Sequence, residues 1–296
     1  LKLTYFPRSA VQRTGSTSSW LSDRGPEHFL RSRILRIWPG CVVAIIISIA
    51  IAAAALGPQA VDYVKSVPLS GLPWALVTID GSIISTAKSF PSNPFPNAVN
   101  GSLWTIQIEF ACYLAVAYLG SLGLLKRPRA VLLLFLIGFA VYLVKLHSGA
   151  AVFMAWSRFA ATFGAGVVLR VYSSRIPNSA WIAAACIIFL TGALFIPKAF
   201  AAAFPVAGAY VIFWLAYNAP AWVRSIGSRN DISYGVYLYA FPLQQLIYSC
   251  RYPSGEVVSV CVNVSLTTVA VTGVAWLSWL FVEKPASAWG KRMANN

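Results

Sequence analysis

The chain has 296 residues, 58% of them hydrophobic and only 10% charged, with a mean hydropathy of +0.69. A soluble domain carries roughly 25% charged residues, so the composition excludes one and asks for a membrane protein. The net charge of +15 does not mark a nucleic-acid binder, because the basic residues sit between apolar runs and no polar stretch is long enough to form a binding module.

The apolar runs are continuous rather than alternating, which favours helices over a membrane β-barrel. About 20 apolar residues in a helix cross a hydrocarbon core of ~30 Å. The predicted fold class is therefore all-α, a polytopic helical integral membrane protein. Eight spans are predicted, at 34–56, 102–124, 130–146, 151–171, 178–196, 200–218, 232–250 and 257–282. A polar N-terminal arm (1–33) precedes the membrane domain (34–283), and a short tail (284–296) follows it. Residue 1 is Leu, and the first 30 residues hold neither an apolar run nor a signal-peptide pattern, so the natural N-terminus is expected further upstream.

The first span opens with FLRSRILRIWPG (Phe29 to Gly40). Arg31, Arg33 and Arg36 stand at its polar end, with Trp38 at interface level. Arginine forks suit phosphate and diphosphate oxygens, and Arg36, closest to the hydrocarbon, is the better ligand candidate. The same charges also serve as anchors to anionic lipid headgroups, which is the expected role of Arg31.

Between the first and second spans lies a short apolar stretch, Leu72 to Ile84, interrupted by Asp80. Its length suits an interfacial or re-entrant helix. The Pro-, Asn- and Ser-rich segment Ser89 to Ser102 reads as an ordered loop or lid. It runs into NGSLWTIQIEF (Asn100 to Phe110), which places Glu109 about seven residues into the second span. Arg158 lies equally far into the fourth span, which runs in the same direction. At 1.5 Å per residue both sit ~10 Å below the outer surface. Opposite charges at one depth relieve each other's desolvation, so the two are expected to pair or to line one polar cavity. A purely structural ion pair is the competing reading.

Pro205 and Pro242 fall within spans, and each is expected to kink its helix and free a backbone carbonyl. DISYGVYLYAFP (Asp231 to Pro242) carries Tyr234 and Tyr237 on roughly one helix face, either as part of an aromatic belt or as a cavity lining. The last span closes on FVEKP, where Glu283 and Lys284 are expected to tie the helix to an arginine such as Arg36 or Arg224.

Charge asymmetry orients the chain. With a cytoplasmic N-terminus, eight spans leave 17 Lys and Arg inside and 5 outside, and Arg158 completes the 23. Both termini are then cytoplasmic. The five cysteines show no metal-ligand spacing and read as packing residues, with a Cys250–Cys261 disulfide open. The two histidines, His28 and His147, have no recognisable catalytic context and read as surface residues. No metal motif, nucleophile elbow, phosphate loop or internal repeat is present.

FLRSRILRIWP, NGSLWTIQIEF, WSRFAATFGAGVVL (Trp156 to Leu169), ISYGVYLYAFP and VEKP, in that order, resemble the motifs of acyltransferase family 3, bacterial integral membrane O-acyltransferases. The resemblance covers nearly everything after Phe29. It implies acetyl transfer from acetyl-CoA to a hydroxyl of a cell-surface carbohydrate or glycolipid, in the bacterial cytoplasmic (inner) membrane and among its lipids. Arg33 and Arg36 would hold the donor's phosphates, and Glu109, Arg158 and Tyr234 would line the acceptor cavity. It also implies ten helices rather than eight, with two more before this chain, the first holding the catalytic histidine. TGSTSSWLSDRG (Thr14 to Gly25) looks like the tail of the loop after them, and Ala240 stands where the late motif often has a histidine. Two alternatives stay open: a transporter or flippase of lipid-linked substrates, against which the lack of an inverted repeat counts, and a truncated, inactive remnant of the family.

Overall fold

The computed structural model of the chain describes residues 25–149, 151–220, 222–223, 231–251 and 260–293. These are helix and turn, with no β-strand among them. Helix α1 runs Gly25–Leu56, α2 Ala60–Ser66, α3 Leu72–Thr78 and α4 Trp104–Ser121. They are followed by α5 Pro128–Ser148, α6 Ala151–Val171, α7 Ala180–Ala193 and α8 Ala199–Asn218. The chain ends with α9 Ser233–Arg251, α10 Val260–Ser278 and α11 Lys284–Met293.

Each predicted span overlaps one of these helices among the described residues, but length and apolarity do not reach the count of eight crossings. Four segments are long and apolar enough to cross a membrane: Glu27–Ser66, Pro128–Ser148, Ala199–Asn218 and Val260–Gly290. The helices outside that set are short or polar. α7 has 14 residues, α4 carries Gln107 and Glu109, α6 carries Arg158, and α9 carries Gln244 and Gln245.

The first helix begins at Gly25, so the stretch read as a polar arm to residue 33 is helical from there on. Pro26 and Glu27 explain the early start. Proline's fixed φ suits the first turn, and an acidic side chain there meets the positive end of the helix dipole. The Leu72 to Ile84 stretch forms the short α3 and a 3-10 turn, Gly81–Ile84. Between them Ile79 adopts φ 60°, and the Asp80 carboxylate accepts from the Ser82 N–H at 3.0 Å.

The chain divides into two compact units, one of residues up to Leu30 with Ile108–Arg224, the other of Arg31–Gln107 with Ser225–Asn296. In the first unit α5 and α6 form the principal helix pair. Tyr142, Leu146 and Ala161 make its core, joined by Phe139, Met154 and Ala201. Gly164 allows the close approach, since a Cβ there would lie 3.2 Å from the Phe135 ring. In the second unit α9 packs on α10, where a Cβ on Gly235 would come within 3.0 Å of the Ala275 backbone. Large apolar side chains remain exposed on both units, among them Leu133, Ile188, Val269 and Phe281, as a bilayer solvent requires.

Both predicted prolines reshape their helices. Pro205 lies in a π-helical turn, Phe204–Gly208, inside α8. Pro205 has no N–H to give the Ala201 carbonyl four residues back, and the Tyr142 hydroxyl donates to that carbonyl at 2.8 Å. Pro242 lies inside α9 and withholds its N–H from Leu238 in the same way. The Leu238 carbonyl accepts instead from Asn100 Nδ2 at 2.9 Å.

Candidate functional site

In the second unit the Pro/Asn-rich segment is an ordered loop fastened to α9. Asn93 Nδ2 donates to the Gln245 carbonyl and to Gln245 Oε1, both at 2.9 Å. Gln245 Nε2 donates in turn to the Phe95 and Ala98 carbonyls at 2.8 and 2.7 Å. Asn100 is buried and fully used: Nδ2 also donates to Ser48 Oγ at 3.0 Å, and Oδ1 accepts from the Ser102 N–H at 3.1 Å. Gly101 must lack a side chain, because a Cβ there would sit 2.7 Å from the Phe241 ring. The Asn-Gly pair and the Phe-Pro pair of two distant motifs are thus one device. Gln245 and Ser48 were not singled out by sequence, although polar residues within apolar runs are a signal.

The tyrosines of α9 hold backbone and loop. The Tyr234 hydroxyl donates to the Ile37 carbonyl at 2.8 Å and to Cys41 Sγ at 3.2 Å, and its ring fills the space a Gly40 side chain would need. Tyr237 donates to the Ser102 carbonyl at 2.9 Å and also meets the Thr105 hydroxyl. Tyr239 is fully buried and shares a hydrogen bond with Ser278 at 3.2 Å.

Arg36 pairs with Asp231 at 2.7 Å, with both side chains about half exposed. This corrects the expectation that Glu283 would hold Arg36. Asp231 lies just before α9 and also accepts from the Ser233 hydroxyl, which orients it toward the arginine. Glu283 instead lies in a π turn, Trp279–Glu283, buried and accepting from Ser278 at 2.8 Å. Lys284 Nζ stands 4.9 Å from the Trp279 ring centroid. Arg33 is half-buried in α1, one turn before Arg36. Arg224, and the Thr14 to Arg24 part of the loop-like stretch, lie outside the described residues.

The first unit contains Glu109 and Arg158, and the two do not pair. Among the described residues no ion pair joins them. Glu109 accepts from the Tyr113 hydroxyl one turn further along α4. Tyr113 packs edge-on against Phe163 of α6, with ring centroids 6.1 Å apart, and against Phe29 at 6.3 Å. Phe163 therefore marks the side of α6 that meets Tyr113. Arg158 is five residues earlier, about 140° around the helix, so it faces elsewhere. It lines a cavity of about 410 Å³ with Phe159, Thr162, Phe200, Ala201, Phe204 and Pro205. The angle around the helix separates the expected pair.

All five cysteines are free thiols, so the Cys250–Cys261 disulfide is not formed. His147 is exposed, with Nδ1 2.9 Å from the Leu143 carbonyl. His28 departs from the surface expectation: it is half-buried in α1, and its Nδ1 is buried with no hydrogen-bond partner among the described residues.

The order of these motifs on a helical membrane scaffold is that of a membrane acyltransferase. The family profile described as "Acyltransferase domain" matches residues 14–283, and the chain belongs to that family. It is 27% identical over 203 residues to a protein of Shigella phage Sf6 described as an O-acetyl transferase. That alignment takes in 63% of this chain and 56% of the phage protein, so the chain spans little more than half the length of that relative. No solved structure matches.

Proposed function

We propose that the protein transfers an acetyl group from acetyl-CoA to a hydroxyl of a carbohydrate or glycolipid at the bacterial cytoplasmic membrane. The family match over residues 14–283 carries this reading, and the O-acetyl transferase relative supports it. In the transfer the hydroxyl oxygen attacks the thioester carbonyl, the new C–O bond forms, and the C–S bond breaks. The hydroxyl proton passes to a base and a proton is returned to the departing CoA sulfur, which leaves as thiol.

Arg33 and Arg36, three apart and so on one side of α1, meet the donor's phosphates from the cytoplasm. The exposed Arg36–Asp231 pair is weakly held, so a phosphate with its greater charge displaces the carboxylate. Tyr234 is a positioning residue: through the Ile37 carbonyl it holds the helical turn that carries Arg36. Glu109, kept in place by Tyr113, presents its carboxylate to the acceptor hydroxyl. Arg158 opens on an apolar cavity with Phe200 and Phe204.

The test is radiolabelled acetyl transfer in membranes holding the protein expressed from its whole reading frame, run beside lipid translocation in proteoliposomes. Glu109→Gln is expected to lose about 100-fold or more in kcat with insertion unchanged. Tyr234→Phe is expected to raise KM for acetyl-CoA while kcat holds. Wild-type turnover in Glu109→Gln removes that carboxylate from the reaction, and translocation without transfer replaces the reading by a transporter.

A further inference from the structure

Arg158 is a charge inside the predicted fourth span. A lone arginine at the centre of a spanning helix costs about 2.5–3.5 kcal/mol on insertion scales. Arg158 lies a third of the way along the 21-residue α6. Among the described residues it has no carboxylate partner. Its guanidinium carbon stands 5.7 Å from the centroid of its neighbour Phe159.

The cavity beside it is built into the fold. Its far wall is the stretch of α8 where Pro205 and the π turn interrupt the regular helix. Turns of this kind recur at functional sites, because the extra residue widens the helix. Phe200 and Phe204 form a tilted ring pair, centroids 5.6 Å apart, on that wall. Gly208 makes room for Phe204, since a Cβ there would lie 2.7 Å from its ring. The Tyr142 hydroxyl ties the Ala201 carbonyl of the interrupted segment to α5.

One cation beside aromatic and aliphatic walls complements an anionic amphiphile. A volume of about 410 Å³ is at the lower end of small-ligand pockets, ample for part of one hydrocarbon chain and far larger than an acetyl group. A free phosphate would satisfy the guanidinium but leave the Phe200 and Phe204 faces unfilled. We infer that this cavity binds an anionic membrane lipid, with its phosphate on Arg158 and one acyl chain lying along Phe200 and Phe204. The site stands whether or not the protein transfers acyl groups.

The experiment uses the whole protein in nanodiscs of equal parts phosphatidylglycerol and phosphatidylcholine, with retained lipids counted by native mass spectrometry. Both lipids carry a phosphate, but the quaternary ammonium of phosphatidylcholine offsets that charge and repels Arg158, so wild type is expected to keep phosphatidylglycerol over phosphatidylcholine by about tenfold. Arg158→Gln is expected to level the two lipids. Ala201→Leu, which fills the cavity but keeps the cation, is expected to lower phosphatidylglycerol retention, and it serves alone if Arg158→Gln does not fold. Equal retention of both lipids by wild type overturns the inference, as does an undiminished preference in Ala201→Leu. Displacement of the lipid by millimolar inorganic phosphate also overturns it, since the site would then read the anion without the chain.

Discussion

Asn100 makes three hydrogen bonds with one amide, and each compensates a gap that its neighbours create. Ser102 gains a partner for its N–H, Ser48 for its hydroxyl, and Leu238 for the carbonyl that Pro242 leaves open. Asn100→Ala leaves that carbonyl buried and unpaired, which costs about 1–3 kcal/mol. The expected readout is a lower apparent Tm in detergent; an unchanged Tm shows that the carbonyl finds another donor. The motif was legible in the sequence, but its partner was not, because a freed carbonyl belongs to no particular residue type. Glu109 was legible in the same way, as a carboxylate inside an apolar run. The pairing with Arg158 that equal spacing suggested is not found among the described residues, since counting residues along a helix leaves the facing neighbour open. Tyr113, the partner Glu109 does have, stands one turn along the same helix, where i and i+4 side chains meet.

At the scale of elements, proline and its surrogate donor form pairs that a double-mutant cycle reads directly. Pro242→Ala restores an N–H to Leu238, so Asn100→Ala is expected to cost less in that background than in wild type. Additive losses, with coupling below about 0.5 kcal/mol, would show that Asn100 acts elsewhere. Tyr142 and Pro205 predict the same behaviour in α8. Gly235→Ala brings a methyl against the Ala275 backbone and is expected to destabilise the α9–α10 pair by about 1–3 kcal/mol. An unaltered melt would mean the two helices part freely there. The apolar runs became helices because hydrophobic length is the dominant constraint in a bilayer, and four helical segments among the described residues are long and apolar enough to cross one. The start of α1 is marked by Pro26 and Glu27 rather than by hydropathy, because the apolar run itself begins only near Ile34. The π turns at Phe204–Gly208 and Trp279–Glu283 were not legible, because they turn on a single extra residue set by packing.

Across the whole molecule, the division into two units cuts through α1 and α4, within the helices rather than between them. Contacts between distant segments define those units, and no composition shift announces them. The polar motifs distribute accordingly: Arg36, Asp231 and Tyr234 in one, Glu109 and Arg158 in the other. The charge asymmetry predicts a cytoplasmic C-terminus, so a C-terminal green fluorescent protein fusion is expected to fluoresce and an alkaline phosphatase fusion to be inactive. The reverse result would invert every placement of donor and acceptor. The most direct measurement is acetyl transfer in sealed inside-out vesicles carrying the protein from its whole reading frame, with labelled acetyl-CoA added outside. The account predicts labelled hydroxyl acceptor in these vesicles, about 100-fold less with Glu109→Gln. Labelling that is equal in vesicles without the protein, or undiminished by Glu109→Gln, would contradict it.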